Sequence, residues 1–259
     1  MQTGMSSACF YPLETEKSVR LCGEMGFKNI EIFVNAPCEL KGRLLKEIKS
    51  EVSYYGLNVV SVHPFTSFAE SFTLFGSYKR RVDDTVELYK HFFQFGNEMN
   101  SDIFVLHGAK TMHTADGEDY FERFAKLRDT GKAFGITVSQ ENVVNFRSQS
   151  VDFIKEMNTY LNGDFAMTLD LKQCRRAGES AIDIIEAVGE KIVNVHISDY
   201  NLKSDCLPPF EGEEDFKTIV NALKYKGYVG KYLIELYSNC FINKEQILNA
   251  AEKFDKILG

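Results

Sequence analysis

At 259 residues, with 44% hydrophobic and 13% aromatic side chains, the chain can bury the core of one α/β barrel or of two smaller domains. Its 30 lysines and arginines are outnumbered by 37 acidic residues, and the net charge of −7 leaves no electrostatic footprint for nucleic acid or an anionic membrane. The six cysteines form no C-x-x-C pair, and MQTGMSSACFYPLE at the N-terminus lacks a basic region followed by an apolar stretch, so free thiols in a cytoplasmic protein without a membrane span are expected.

Short β-branched or aromatic runs alternate with longer segments of helical spacing along the whole chain. TGMSSACF (3–10) reads as the first strand and ETEKSVRLCGEMG as the helix after it. NIEIFV (29–34) is followed by KGRLLKEIKSEVSYYG, NVVSVH (58–63) by RRVDDTVELYKHFFQFGNEM, and DIFVLH (102–107) by DYFERFAKLRDTGKAFG. ITVSQE (136–141), FAMTLD (165–170), IVNVHI (192–197) and YLIELY (232–237) bring the strands to eight. Gly26, Gly56, Gly135 and Gly227 stand where helix ends need a residue tolerant of positive φ. Eight strand–helix repeats without a linker predict a single-domain (β/α)8 TIM barrel over 1–259. The alternative, an open doubly wound sheet, lacks a G-x-G-x-x-G after its first strand.

The segment HPFTSFAESFTLFGSYKRR, after the third strand, is dense in phenylalanine for a loop. One reading makes it a lid, with Phe65 and Phe68 excluding water and Lys79, Arg80 or Arg81 near a phosphate. The other packs the aromatics on helices or a subunit interface and leaves the basic residues solvated. Tyr11 reads as pocket wall, Glu31 as lining the barrel or pairing with a base, and His91, His113 and the acidic run 211–215 as solvated or structural.

The strand ends carry the chemistry. Strands three to seven finish on His63, His107, Glu141, Asp170 and His196, and the eighth carries Glu235 near its end. In a barrel these ends converge on one mouth. Any one of them alone is a satisfied histidine or a helix cap. Three of the chain's five histidines on such ends, beside three carboxylates, point to a metal site. Buried carboxylates must be paired, protonated or coordinated, and no arginine or lysine recurs beside Glu141, Asp170 and Glu235, so a divalent cation is expected to neutralise them. Mostly oxygen donors with one imidazole suit Mn²⁺, Zn²⁺, Co²⁺ or Mg²⁺ and disfavour a thiolate zinc site. Glu141 and Glu235, on the outer strands of this arc, would approach the two faces of a chelated substrate.

GFKNIEIFVN, VVSVHPF, VLHGA, TVSQENV, TLDLKQC, VHISD and LPPFEGEEDF, in this order, resemble the sugar phosphate isomerase/epimerase superfamily of xylose isomerase-like barrels, which also includes the multinuclear-zinc apurinic endonucleases. Similarity to its ketose 3-epimerases implies one divalent metal, Mn²⁺ or Zn²⁺ foremost, held by Glu141, Asp170, His196 and Glu235. It also implies a carbohydrate substrate and the two glutamates as acid and base on opposite faces of an enediolate. A dimer or tetramer would suit the same class.

The departures are specific. Gln173 stands where relatives carry a histidine, Ser204 and Cys206 replace an Asp-x-His pair of the endonucleases, and Leu202 and Lys203 occupy the region of an epimerase arginine. His63 and His107 match the endonuclease pattern and, with Gln173, are candidates for a second metal or for substrate binding. The competing functions are an inosose dehydratase-type lyase, a phosphodiesterase on damaged DNA and a noncatalytic sugar-binding barrel.

Overall fold

A computed structural model describes residues 1–112 and 117–259; His113 lies outside the described residues. Eight parallel strands close in sequence order: β1 Gly4–Ser6, β2 Asn29–Val34, β3 Asn58–Pro64, β4 Ile103–Leu106, β5 Thr137–Glu141, β6 Met167–Asp170, β7 Ile192–Ile197 and β8 Tyr232–Ile234. Around them lie α1 Thr15–Glu24, α2 Gly42–Tyr55, α3 Ser67–Thr73, α4 Lys79–Glu98, α5 Gly117–Ala133, α6 Val151–Tyr160, α7 Leu171–Ala177, α8 Ala181–Val188, α9 Phe216–Tyr225 and α10 Lys244–Leu258. The (β/α)8 barrel expected from the alternation is therefore the observed fold. The six cysteines are unbridged, and no helix among the described residues is long and apolar enough to cross a membrane.

Strand side chains alternate between two environments, as the period of two requires. Ile30, Ile32, Val62, Phe104, Val138, Leu169, Val195 and Ile197 are fully buried in the apolar layer between strands and helices. On α4, Val82, Val86, Tyr89 and Phe93 form the buried stripe facing that layer, and Phe93 meets Phe104 edge-on at 5.3 Å. The opposite strand faces point into the barrel and carry polar residues. Ser139 and Thr168 bond each other at 2.8 Å, and Ser6 and Ser61 both donate to Glu31. A polar floor thus lies beneath the mouth.

Two expectations change. The first strand stops at Ser6 rather than running to Phe10, because the Ser6 hydroxyl accepts from Ala8 N–H and caps a single 3₁₀ turn, Ser7–Phe10. The segment 65–81 is also not a loop. It holds α3, whose Glu70 is fully buried and bonded to Tyr89 Oη at 2.9 Å and to Gly108 N–H at 2.6 Å. The chain ends are clamped together: Asp255 on α10 accepts from Thr3 N–H at 2.7 Å and Thr3 Oγ1 at 2.6 Å, beside β1.

Candidate metal centre and substrate pocket

Glu141, Asp170 and His196 close β5, β6 and within one residue β7, and Glu235 directly follows β8. Their inward register brings four donor atoms together. From His196 Nδ1, Glu235 Oε2 lies at 3.3 Å, Glu141 Oε1 at 3.5 Å and Asp170 Oδ2 at 3.8 Å. Donors sharing one tetrahedral cation at about 2.1 Å stand about 3.4 Å apart, so this spacing is that of a ligand set. Glu141 Oε2, Asp170 Oδ2 and His196 Nδ1 are buried and lack any hydrogen bond. Asp170 Oδ2 and Glu141 Oε2 have charged neighbours, Lys172 at 3.2 Å and His107 at 2.7 Å, but His196 Nδ1 faces only carboxylate oxygens, and a buried nitrogen so placed is costly unless a cation or a proton joins it to them. The residues present therefore fit a divalent ion.

Two of the four candidate ligands are held from behind. His196 Nε2 lies 2.9 Å from Glu31 Oε2, which also accepts from Ser61 Oγ at 2.7 Å, while Ser6 Oγ donates to Glu31 Oε1 at 2.9 Å. A carboxylate in that position accepts the Nε2–H hydrogen bond, so that the neutral ring turns its Nδ1 lone pair to the centre. Asp170 serves two ends at once: Oδ1 accepts from Gln173 N–H at 2.9 Å, capping α7, while Oδ2 faces the centre. The helix cap at Asp170 is therefore present, and its second oxygen is left facing the centre.

Glu141 also faces a second group. His107 Nε2 approaches Glu141 Oε2 to 2.7 Å and His63 Nε2 to 3.5 Å, without hydrogen-bond alignment, and the two imidazoles are 2.9 Å apart. His63 Nδ1 is turned to Pro64 O at 3.2 Å, so its Nε2 is presented inward. His63, His107 and Glu141 thus offer three more donor atoms within 4.8 Å of one another. Gln173 belongs to neither group. Its Oε1 accepts from Val144 N–H at 3.2 Å, and its side chain lines the pocket.

Charge in the centre is tightly balanced. Burial works against charge on His196, but Glu31 and Glu235 outweigh it and raise its pKa well above the usual imidazole range. Burial likewise opposes His63, yet Glu141 and Glu31 push it up to about 9. Against burial, His107 holds Glu141, and Lys172 with His196 holds Glu235, well below the ordinary carboxylate range. Asp170 is raised, chiefly by burial.

Lys172 overturns the expectation that no basic side chain stands beside these carboxylates. Its ammonium, 3% exposed, lies 2.9 Å from Glu235 Oε2 and 3.2 Å from Asp170 Oδ2. The position two residues past Asp170 was the available signal, but it is α7 winding back over the mouth that brings Lys172 inward. Glu31 was visible as an inward acid; its partnership with a histidine 165 residues away was not.

A cavity of about 480 Å³ opens above the centre, with His63, His107, Glu141 and Glu235 at its base and Phe33, Phe65, Ala8 and Leu236 among its apolar walls. Tyr11 and Phe65 line it as expected, whereas Phe68 is 67% exposed outside it. Lys79, Arg80 and Arg81 are exposed on the first turn of α4 and do not reach the cavity. No arginine lines it among the described residues. Ser204 and Cys206 also lie outside; between them Asp205 pairs with Arg176, at 2.6 and 3.0 Å, and Arg176 donates to Tyr237 Oη at 2.7 Å.

The model of the xylose isomerase-like TIM barrel family matches residues 19–257. The chain is 22% identical to the fructoselysine 3-epimerase of Escherichia coli O157:H7, over 100% of this chain and 98% of that protein. It superposes on a D-tagatose 3-epimerase-like protein with a TM-score of 0.79, at 20% identity and covering 100% and 97% of the two chains. On D-allulose 3-epimerase from Methylomonas sp. in complex with D-allulose the TM-score is 0.78, at 16% identity and covering 99% and 96%.

Proposed function

Because the chain belongs to the xylose isomerase-like TIM barrel family, we propose that it is a divalent-metal-dependent ketose epimerase or isomerase that moves a proton on the carbon beside a carbonyl. The observation that carries this reading is the ring of carboxylate oxygens from Glu235, Glu141 and Asp170 at 3.3, 3.5 and 3.8 Å from His196 Nδ1, an atom that is buried and has no hydrogen bond of its own. These four residues would hold the ion, Mn²⁺ or Zn²⁺ by donor type, with Co²⁺ and Mg²⁺ also compatible. When bound, such an ion polarises the substrate carbonyl and offsets the negative charge that builds on its oxygen.

The protein supplies the proton transfers. Glu141 and Glu235 rise from separate strands into one cavity, so one carboxylate removes the proton and the other returns a proton to the opposite face. Both carboxyls are held well below the ordinary carboxylate range against the effect of burial, as removal of a proton requires. His107, 2.7 Å from Glu141 Oε2, gives a proton lifted by that glutamate an imidazole partner. His63 and His107 with Glu141 would serve a second ion or a substrate hydroxyl. Gln173 offers its amide to the sugar, and Phe33 and Phe65 exclude water. With no arginine lining the cavity among the described residues and its lysine held by two carboxylates, the site suits an unphosphorylated ketose.

The test is solvent exchange. Mn²⁺-loaded protein incubated with a panel of ketoses and ketose–amine conjugates in D₂O should place deuterium on the carbon next to the carbonyl, read by NMR. Glu141→Gln and Glu235→Gln should each abolish it. Deuterium uptake followed by loss of water would transfer the site to the dehydratase reading, and no uptake on any ketose would remove the proton-transfer assignment.

A further inference from the structure

Lys172 is a buried cation on the very oxygens that complete the candidate metal centre. Glu235 Oε2 and Asp170 Oδ2 face His196 Nδ1 at 3.3 and 3.8 Å, and the same two atoms lie 2.9 and 3.2 Å from Lys172 Nζ. The ammonium has little room elsewhere. Its outer side is covered by Tyr237, whose ring centroid is 5.2 Å away and whose hydroxyl is tied to Arg176. Arg176 is in turn fixed by two bonds to Asp205.

We propose that Lys172 is a built-in counter-ion that competes with the divalent cation for Asp170 and Glu235 and thereby sets the affinity of the centre. This rests on the metal reading above. A buried ammonium needs its carboxylates as much as they need a cation, because an unpaired charge in this position is strongly unfavourable. Oxygens shared with a fixed positive charge attract a second cation less strongly, an effect that low local dielectric enlarges. Lys172 thus keeps the carboxylate pair assembled without an ion and lowers affinity once an ion arrives. It acts through Asp170 and Glu235, as a positioning residue.

The experiment titrates Mn²⁺ into chelator-stripped wild type, Lys172→Met and Lys172→Gln. The readouts are the electron paramagnetic resonance signal of free Mn²⁺ and thermal melts with and without the ion. Lys172→Gln removes the charge while keeping an amide that can donate to the carboxylates, so it serves if Lys172→Met does not fold. The expected result is unchanged stoichiometry with a Kd lower than wild type by about tenfold or more. The neutral variants should also melt lower than wild type without Mn²⁺ and gain more on its addition. A merely structural lysine would lower both melting points and leave Kd unchanged or raised, which overturns the proposal while the metal reading stands. Absence of binding in wild type and variants alike would overturn both, whereas binding in the variants alone would show competition at its strongest.

Discussion

Glu31→Gln isolates the support behind His196. The wild-type carboxylate is fully buried and meets three donors, Ser6 Oγ at 2.9 Å, Ser61 Oγ at 2.7 Å and His196 Nε2 at 2.9 Å. An amide in its place has two orientations. With its oxygen toward His196, the Nε2–H bond survives, but the imidazole loses the negative charge that makes it a better donor to the ion. With its nitrogen toward His196, the ring must accept at Nε2, which moves the proton to Nδ1 and blocks the ligand atom. Either way affinity should fall, by about tenfold to a hundredfold, or about 1.4 to 2.7 kcal/mol. Mn²⁺ titration of the stripped variant measures this, and far-ultraviolet circular dichroism verifies that the barrel is intact. Affinity equal to wild type would show that His196 is not oriented by Glu31, and the ligand geometry argued from Nδ1 would fall with it.

Other perturbations test separate parts of the account. Mn²⁺ binding should release protons and strengthen as pH rises, because His196 has a raised pKa and must be neutral to donate; calorimetry in two buffers of different ionisation enthalpy should give different observed heats, and identical uncorrected heats in the two would contradict it. Gly108→Ala should cost about 2 to 4 kcal/mol in a urea melt, since Gly108 sits at φ +92° with its added Cβ against the Tyr120 hydroxyl, and its N–H is held by Glu70; a loss under half a kcal/mol is not expected. Asp255→Asn should lose about 1 kcal/mol at pH 7, a figure already reduced for its partial exposure. Its carboxyl is depressed by Thr3 and Gln2 against the effect of burial, so its contribution is present above the unfolded value near about 4 and lost as pH falls through the folded pKa. The gap between variant and wild type should therefore close in acid; a gap that persists at pH 2 would mean the aspartate acts by packing rather than charge.

What the sequence reveals is whatever follows from period and position. The alternation in NIEIFV puts Ile30 and Ile32 in the apolar layer and Glu31 in the barrel, and the same alternation turns Glu141 and Asp170 inward at the ends of β5 and β6 and His196 inward one residue before the end of β7. Strand ends converge in any barrel, so the candidate ligands could be collected without coordinates. Contacts made across the barrel or through a turn could not. Glu31 reaches His196 from the opposite wall, and Lys172 depends on how α7 starts. The first strand's early end turns on one serine hydroxyl, which no periodicity displays. In the segment 65–81 the phenylalanine density masked a short helix built around buried Glu70, and of the two readings of its basic residues the solvated one holds, because α4 carries them to the surface.

If the four strand-end residues form one metal centre, elemental analysis will find its ion. Purified protein would be loaded with Mn²⁺ or Zn²⁺, dialysed, and compared with Glu141→Gln and His196→Ala treated alike. The expected result is about one tightly held ion per chain in wild type and loss of it in both variants, as for a site whose ligands act together. No retained ion in wild type, or retention unaffected by either substitution, would contradict it.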